Sequence, residues 1–280
     1  MKRYLLALAA AVLLICAGCG GKTPPATTQT PTEEQLTEAT LAPETLPPIE
    51  NATEPSTEPM AEPVTEPATE PQPTEPELLL HSGLREDGTF SAGTLFIGDS
   101  LTYNLTGSYL PENGLLGEAK ITAQCGSKVT AFFDGTLLVK NPVALTLYSP
   151  EFEGMSFNEA AASLGEAAEA VYLMWGTNFS FDASADDYIQ IVDFLLENCP
   201  NATVHLQTIP QGNVAYTIVN GQIRDAYAHY VDLGEPRVML IETFHAIGLN
   251  TVDGVHLNLL GSANWYQAIV DHAATNDLLP

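Results

Sequence analysis

The sequence predicts an α/β domain in which a parallel sheet of about five strands carries helices on both faces. Three observations lead there. From residue 90 onward, short apolar runs alternate with helix-like segments, the pattern of a parallel sheet covered on both sides. The runs have the length of strands buried on both faces. All aromatic residues except Tyr4 lie after residue 78, which leaves about 200 residues, enough for one well-buried domain.

Taken in order, the first strand is Thr94-Leu95-Phe96-Ile97, which ends in Gly98. A second lies within residues 119–124, a third within 170–175, a fourth within 203–208 and a fifth within 238–241. Between them stand helix signals. Ser156 followed by Glu159 has the capping-box spacing, and the Ala- and Glu-rich stretch beyond it favours helix. Residues 184–198 place Tyr188, Ile191, Leu195 and Leu196 on one helical stripe, stopped by Pro200. Residues 217–233 and 261–272 also read as helices. In sheets of this class, ligands bind beyond the carboxyl ends of the strands, so the chemistry is to be sought there.

The N-terminal region has a different composition. Residues 20–78 hold 13 of the 20 prolines, 13 threonines, 12 glutamates and no aromatic residue. Such a segment cannot bury enough apolar surface to offset chain entropy. From Asn51 it runs in four-residue units that end at Pro59, Pro63, Pro67 and Pro71. Proline fixes φ and the glutamates repel one another, so an extended tether is expected over residues 19–78. Its reach is at most roughly 180 Å at ~3.1 Å per residue. A repeat fold is not expected, because the units have almost no apolar side chains to stack.

Ahead of the tether, Met1-Lys2-Arg3 and an uncharged apolar run lead to Cys16-Ala17-Gly18-Cys19. This is the layout of a secretory signal. It resembles a bacterial lipoprotein signal peptide over residues 1–18, and the resemblance implies that Cys19 is lipidated. The domain would then stand on the outer face of the bacterial cytoplasmic membrane. One position departs from the family pattern, since Cys16 stands where Leu is usual. The other readings are an ordinary secreted protein or a short membrane anchor, although the run is short of the ~20 residues that span a bilayer.

Over the whole chain, 9 Lys and Arg against 35 Asp and Glu give a formal charge of -26. That excludes a nucleic-acid protein built on a basic face. Two cysteines remain beyond Cys19, Cys125 and Cys199, and a disulfide between them is compatible with an extracytoplasmic setting. His81, His205, His229, His245 and His272 are scattered, and no Cys/His cluster has metal-ligand spacing. The domain is expected to be monomeric and to need neither metal nor organic cofactor.

Two motifs carry chemistry. Gly98-Asp99-Ser100-Leu101 closes the first strand. A serine there can present its hydroxyl at the sheet edge, with its backbone N–H at a helix start. By itself the tetrapeptide is weak evidence, because Asp-Ser at a strand end is more often a helix cap. Asp253-Gly254-Val255-His256-Leu257-Asn258 stands before the last helix. Asp and His three residues apart on one turn can hydrogen-bond, which leaves the other ring nitrogen to face a serine. The alternative is a structural turn with a surface histidine.

Together these blocks resemble the SGNH/GDSL hydrolase superfamily over roughly residues 90–275. The resemblance implies a flavodoxin-like three-layer α/β/α sandwich, the SGNH hydrolase fold. It also implies a Ser100–His256–Asp253 triad, with an oxyanion hole from the backbone of Ser100 and Gly126 and the amide of Asn178. Gly126 follows the second strand, with Gly114, Gly117 and Gly135 as competitors, and Asn178 stands in Gly176-Thr177-Asn178 after the third. Phe179 occupies a place where the family often has Asp. The implied activity is a serine esterase working through an acyl-enzyme, with O-acetyl groups on a carbohydrate as the favoured substrate. An O-acyltransferase acting on cell-wall glycans is the alternative enzyme, and a catalytically degenerate surface-binding module is the non-enzymatic one. Intact Ser100, Asp253, His256 and Asn178 speak against the last. Trp175, Tyr103, Phe179 and Trp265 could offer sugar-stacking faces, but packing in the core is the competing role for each.

Overall fold

A computed structural model describes residues 79–280 except 142, 179–182, 211–213 and 244–249, together with the side chains of 214 and 215. The signal region, the tether with Cys19, Phe179 and His245 therefore lie outside the described residues.

Six strands form one sheet: β1 Thr94–Gly98, β2 Lys120–Gln124, β3 Thr146–Tyr148, β4 Ala170–Met174, β5 Thr203–Gln207 and β6 Val238–Ile241. Their order is β3-β2-β1-β4-β5-β6. The five expected strands are present and mutually parallel. A sixth, β3, pairs antiparallel with β2 in the register Thr122↔Tyr148 and adds an edge strand to the expected parallel sheet. Every residue of β1, β4 and β5 is buried, as the central strands of a doubly covered sheet should be. By contrast, β3 has three half-buried residues at the sheet edge. Too short to show a period, it left no clear trace in the sequence.

Among the described residues, five α-helices accompany the sheet: α1 from Ser100, α2 Phe157–Ala162, α3 Ala185–Asn198, α4 Val214–Leu233 and α5 Leu259–Thr275. Helix α1 begins as Ser100–Asn104, widens into a π-helical turn over Leu105–Tyr109 and closes at Leu110–Glu112. Helix α2 has the expected capping box, with the Ser156 N–H donating to Glu159 Oε2 at 2.8 Å. It is only six residues long because Gly165 turns the chain at φ 53, a conformation that ends helices. The stripe on α3 buries Tyr188, Ile191, Val192 and Leu195. Helix α4 starts earlier than expected, and α5 starts at Leu259 because Asn258 caps it, accepting from the Gly261 N–H at 2.9 Å.

Helices α1 and α5 contact each other on one face of the sheet, while α3 contacts α2 and α4 on the other. On the α5 face a ring stack runs across three strands, Phe96 on Tyr172 at 5.0 Å and Tyr172 on His205 at 4.6 Å, and His272 of α5 meets His205 edge-on. His205 is fully buried. Its Nε2 lies 2.9 Å from the His81 carbonyl, while Nδ1 has no partner. The carbonyl can only accept, so the proton sits on Nε2. Burial holds the imidazole pKa down to about 3, with a smaller opposing contribution from the His81 bond.

That depression has a sign. The unfolded chain takes up a proton near pH 6.5 and the folded chain does not, so stability is lost as pH falls from about 6.5 toward about 3. The slope is ~1.4 kcal/mol per pH unit, so this group should cost about 2 kcal/mol between pH 6.5 and pH 5. His272, also depressed by burial, adds in the same direction. Urea unfolding at both pH values, in the wild type and in His205→Gln, checks this: the pH-dependent loss should shrink in the variant.

Candidate active site

In the parallel part of the sheet, strand order reverses direction between β1 and β4. Sheets of this kind open a crevice at such a point, beyond the carboxyl ends of the strands. Gly98 of β1 pairs with Ala123 of β2 and with Met174 of β4. Ser100, Gly126 and Asn178 thus follow the ends of three adjacent strands by two, two and four residues.

Gly98 is required by close approach. A Cβ there would overlap the Met174 carbonyl oxygen and Thr102 Oγ1. Past it, Asp99 caps α1, and Ser100 takes the first helical position with only 5 % of its surface exposed.

The histidine arrives from the opposite end of the chain. The Val252 N–H bonds the His256 carbonyl, the Asn258 N–H bonds the Asn250 carbonyl, and Thr251 bridges Leu257. This narrow turn brings His256 Nε2 to 3.2 Å from Ser100 Oγ. His256 Nδ1 stands 2.7 Å from Asp253 Oδ2. The other carboxylate oxygen accepts the backbone N–H groups of Val255 at 2.9 Å and His256 at 2.7 Å.

Burial pushes the Asp253 carboxyl up, but the His256 ring and the two backbone donors together outweigh it and hold the group below 3.8. It is therefore ionised at neutral pH, and its stabilisation fades only as pH falls below that value. An ionised carboxylate can only accept. The proton must sit on His256 Nδ1, and the lone pair of Nε2 faces Ser100 Oγ.

The oxyanion candidates stand as follows. Gly126 holds φ 79, with open space where a Cβ would be, so the left-handed conformation favours glycine here. Neither the Ser100 nor the Gly126 N–H has a protein acceptor among the described residues. Asn178 Nδ2 donates to the Ser127 carbonyl at 3.1 Å and has a long contact of 3.5 Å to Thr177 Oγ1. The Asn178 amide thus has one firm bond and a second N–H held only weakly. Asn178→Ala should lower kcat for ester hydrolysis by roughly 10²-fold while leaving KM close to its original value. Steady-state kinetics check both numbers.

Sequence reasoning missed three residues that shape this site. Ser127 supplies the carbonyl that orients Asn178, and is itself fixed by Trp175 Nε1, 3.0 Å from its hydroxyl. Thr177 and Asp99 tie the β4 loop to the nucleophile's strand. Asp99 is fully buried and accepts four hydrogen bonds, from the N–H of Leu101, the N–H of Gly176 and both donors of Thr177. Burial pushes its carboxyl up, and these bonds pull the other way. The clue in the sequence was the cap position of Asp99, but a cap explains only one of the four bonds.

Other expectations change. Trp175 and Trp265 are buried, and Trp265 Nε1 donates to Gln207 Oε1 at 2.7 Å. Core packing is their role, and neither offers a sugar-stacking face. Tyr103 is half-buried. Cys125 and Cys199 are not joined. Cys125 follows the carboxyl end of β2 and Cys199 precedes the amino end of β5, so they lie at opposite ends of the sheet. Cys199 is buried with its thiol pushed up to about 11 by burial. Among the described residues no group of three or more His, Cys, Asp or Glu is placed to hold a metal ion.

No family model and no curated protein matches the chain. Solved structures do. A family two carbohydrate esterase from Clostridium thermocellum, an active-site mutant, is 14% identical, with a TM-score of 0.47 over 65% of this chain. The match covers 63% of that esterase, just under two thirds of its length. A GDSL-like lipase from Bacteroides thetaiotaomicron is 12% identical with a TM-score of 0.42, over 65% of this chain and 88% of that one. A carbohydrate acetylesterase from Sinorhizobium meliloti is 15% identical with a TM-score of 0.42, over 65% of this chain and 98% of that one.

Proposed function

We propose that this protein is a serine esterase of the SGNH/GDSL type that removes O-acetyl groups from a carbohydrate. The observation that carries the reading is the hydrogen-bonded series Ser100 Oγ, His256 and Asp253, with steps of 3.2 and 2.7 Å, together with the N–H groups of Ser100 and Gly126, which have no protein acceptor among the described residues. Ser100 Oγ attacks the ester carbonyl and gives its proton to His256 Nε2. The oxyanion that forms is held by the N–H groups of Ser100 and Gly126 and by the Asn178 amide. The carbon–oxygen bond to the sugar breaks, and the leaving alcohol takes the proton from Nε2. Water then adds to the acyl-enzyme with the same histidine as base and releases acetate.

The substrate half of the reading rests on charge and on the expected place of the domain. Residues 79–280 carry 6 basic and 23 acidic side chains, a net charge of -17. Such a surface repels polyanionic polymers, so a neutral or weakly charged glycan fits it better. Lipidation at Cys19 would hold the enzyme on the outer face of the membrane, among wall and environmental polysaccharides. Two or more acyl chains give such an anchor durability.

The test is acetate release from O-acetylated xylan and from O-acetylated wall glycan, beside p-nitrophenyl esters of increasing chain length. Release of acetate with a preference for the shortest ester supports the proposal. Turnover that appears only when a glycan acceptor is added makes the protein an acyltransferase. Preference for long-chain esters overturns the carbohydrate assignment.

A further inference from the structure

Asp99 has more hydrogen bonds than its place before a helix requires. A capping side chain needs one acceptor for one free N–H of the first turn. Asp99 Oδ1 does this for Leu101 at 3.1 Å. Its Oδ2 turns away from the helix and accepts three donors from the loop after β4: the N–H of Gly176 at 3.1 Å, the N–H of Thr177 at 2.9 Å and the Thr177 hydroxyl at 2.6 Å. Asp99 precedes the nucleophile in the chain, and Thr177 precedes Asn178. Because the Thr177 hydroxyl spends its hydrogen on the carboxylate, its lone pairs are left to receive the Asn178 amide, 3.5 Å away. One fully buried side chain therefore joins the strand end that carries the attacking atom to the loop that carries a proposed oxyanion donor.

We propose that Asp99 is a positioning residue, which holds the Asn178 amide at a fixed distance from Ser100 so that it meets the oxyanion as charge develops. This rests on the esterase reading above. Misplacing a donor by about 1 Å can cost a hundredfold in rate, and a loop held by three bonds to one carboxylate resists such a shift.

In the full chain, Asp99→Asn keeps the shape but puts an amide N–H among donors. It is expected to lower kcat for p-nitrophenyl acetate about 10- to 100-fold, with KM changed less than about threefold. Thr177→Val removes the hydroxyl's bond to Asp99 and its long contact with the Asn178 amide without touching the buried charge, and should lower kcat by a smaller factor. The decisive readout is coupling. In an Asn178→Ala background, either substitution should cost less than about threefold further, because the donor they position is already gone. If Asp99→Asn does not fold, as judged by circular dichroism, Thr177→Val carries the test alone. Equal losses in the two backgrounds, or full activity in the variants, overturn the proposal. Labelling of Ser100 by a fluorophosphonate, read by mass spectrometry on the wild type, separates the two levels. A labelled, active wild type with uncoupled variants sinks only the role of Asp99. An unlabelled, inactive wild type removes the esterase reading and this proposal with it.

Discussion

Replacing Ser100 with alanine is expected to lower kcat/KM for ester hydrolysis by at least ~10⁴-fold, the scale on which triads lose rate when the nucleophile is removed. The fold should survive. Ser100 occupies the first position of α1, where alanine is a good helix former, and the substitution keeps its backbone N–H. Among the described residues, the only side-chain bond given up is the 3.2 Å contact to His256. Stability should therefore change by no more than about 1 kcal/mol. Circular dichroism and thermal melting check the fold, and hydrolysis of p-nitrophenyl acetate checks the chemistry. An alkyl acetate should be assayed beside it, because an exposed imidazole can attack an activated phenyl ester without help. A loss of less than about tenfold on the alkyl ester would rule Ser100 out as nucleophile.

How far this could be read from the sequence depends on which atoms do the work. Strands β1, β4 and β5 are buried along their whole length, and the apolar runs of β1 and β4 stood out, whereas β5 alternates Val204 and Leu206 with Thr203, His205 and Gln207. The β3 edge is three residues long and only half-buried, and it showed nothing. Ser100, Asp253 and His256, the proposed triad, stand in two compact motifs, and the resemblance that those motifs carry suggested their chemistry. Ser127 acts through its carbonyl oxygen, which every residue has, and its partner Asn178 lies 51 positions away. Asp99 meets Thr177 across 78 positions. No local pattern encodes such a pair, so the motif pointed to the proposed nucleophile but not to the long-range bonds of the carboxylate beside it. Trp175 and Trp265 illustrate the converse. Their nearness to motifs in sequence left a sugar-stacking role open beside core packing, and each turns its indole N–H to an internal acceptor.

Asp253→Asn should lower kcat about 10³- to 10⁴-fold near neutral pH, nearly as much as loss of the serine. Two oxygens of Asp253 do separate jobs. Oδ1 takes the N–H groups of Val255 and His256 and shapes the turn, whereas Oδ2 takes the proton on His256 Nδ1. Asparagine can keep its oxygen on the backbone donors, so the turn and the position of the ring are preserved. Its NH₂ then faces Nδ1, which can no longer carry a hydrogen on that side. The proton moves to Nε2 and points at Ser100 Oγ, where an acceptor is needed. The variant should thus look intact by circular dichroism and still lack a base. Asp253→Ala removes both jobs but imposes no tautomer. With 42% of the Asp253 side chain exposed, water can take over part of the vacated site. Alanine should therefore lower stability more than asparagine does while leaving comparable or greater activity. Kinetics and urea unfolding of the two variants, measured side by side, decide the matter. An asparagine variant that works as well as the wild type would show that His256 is oriented by the turn alone.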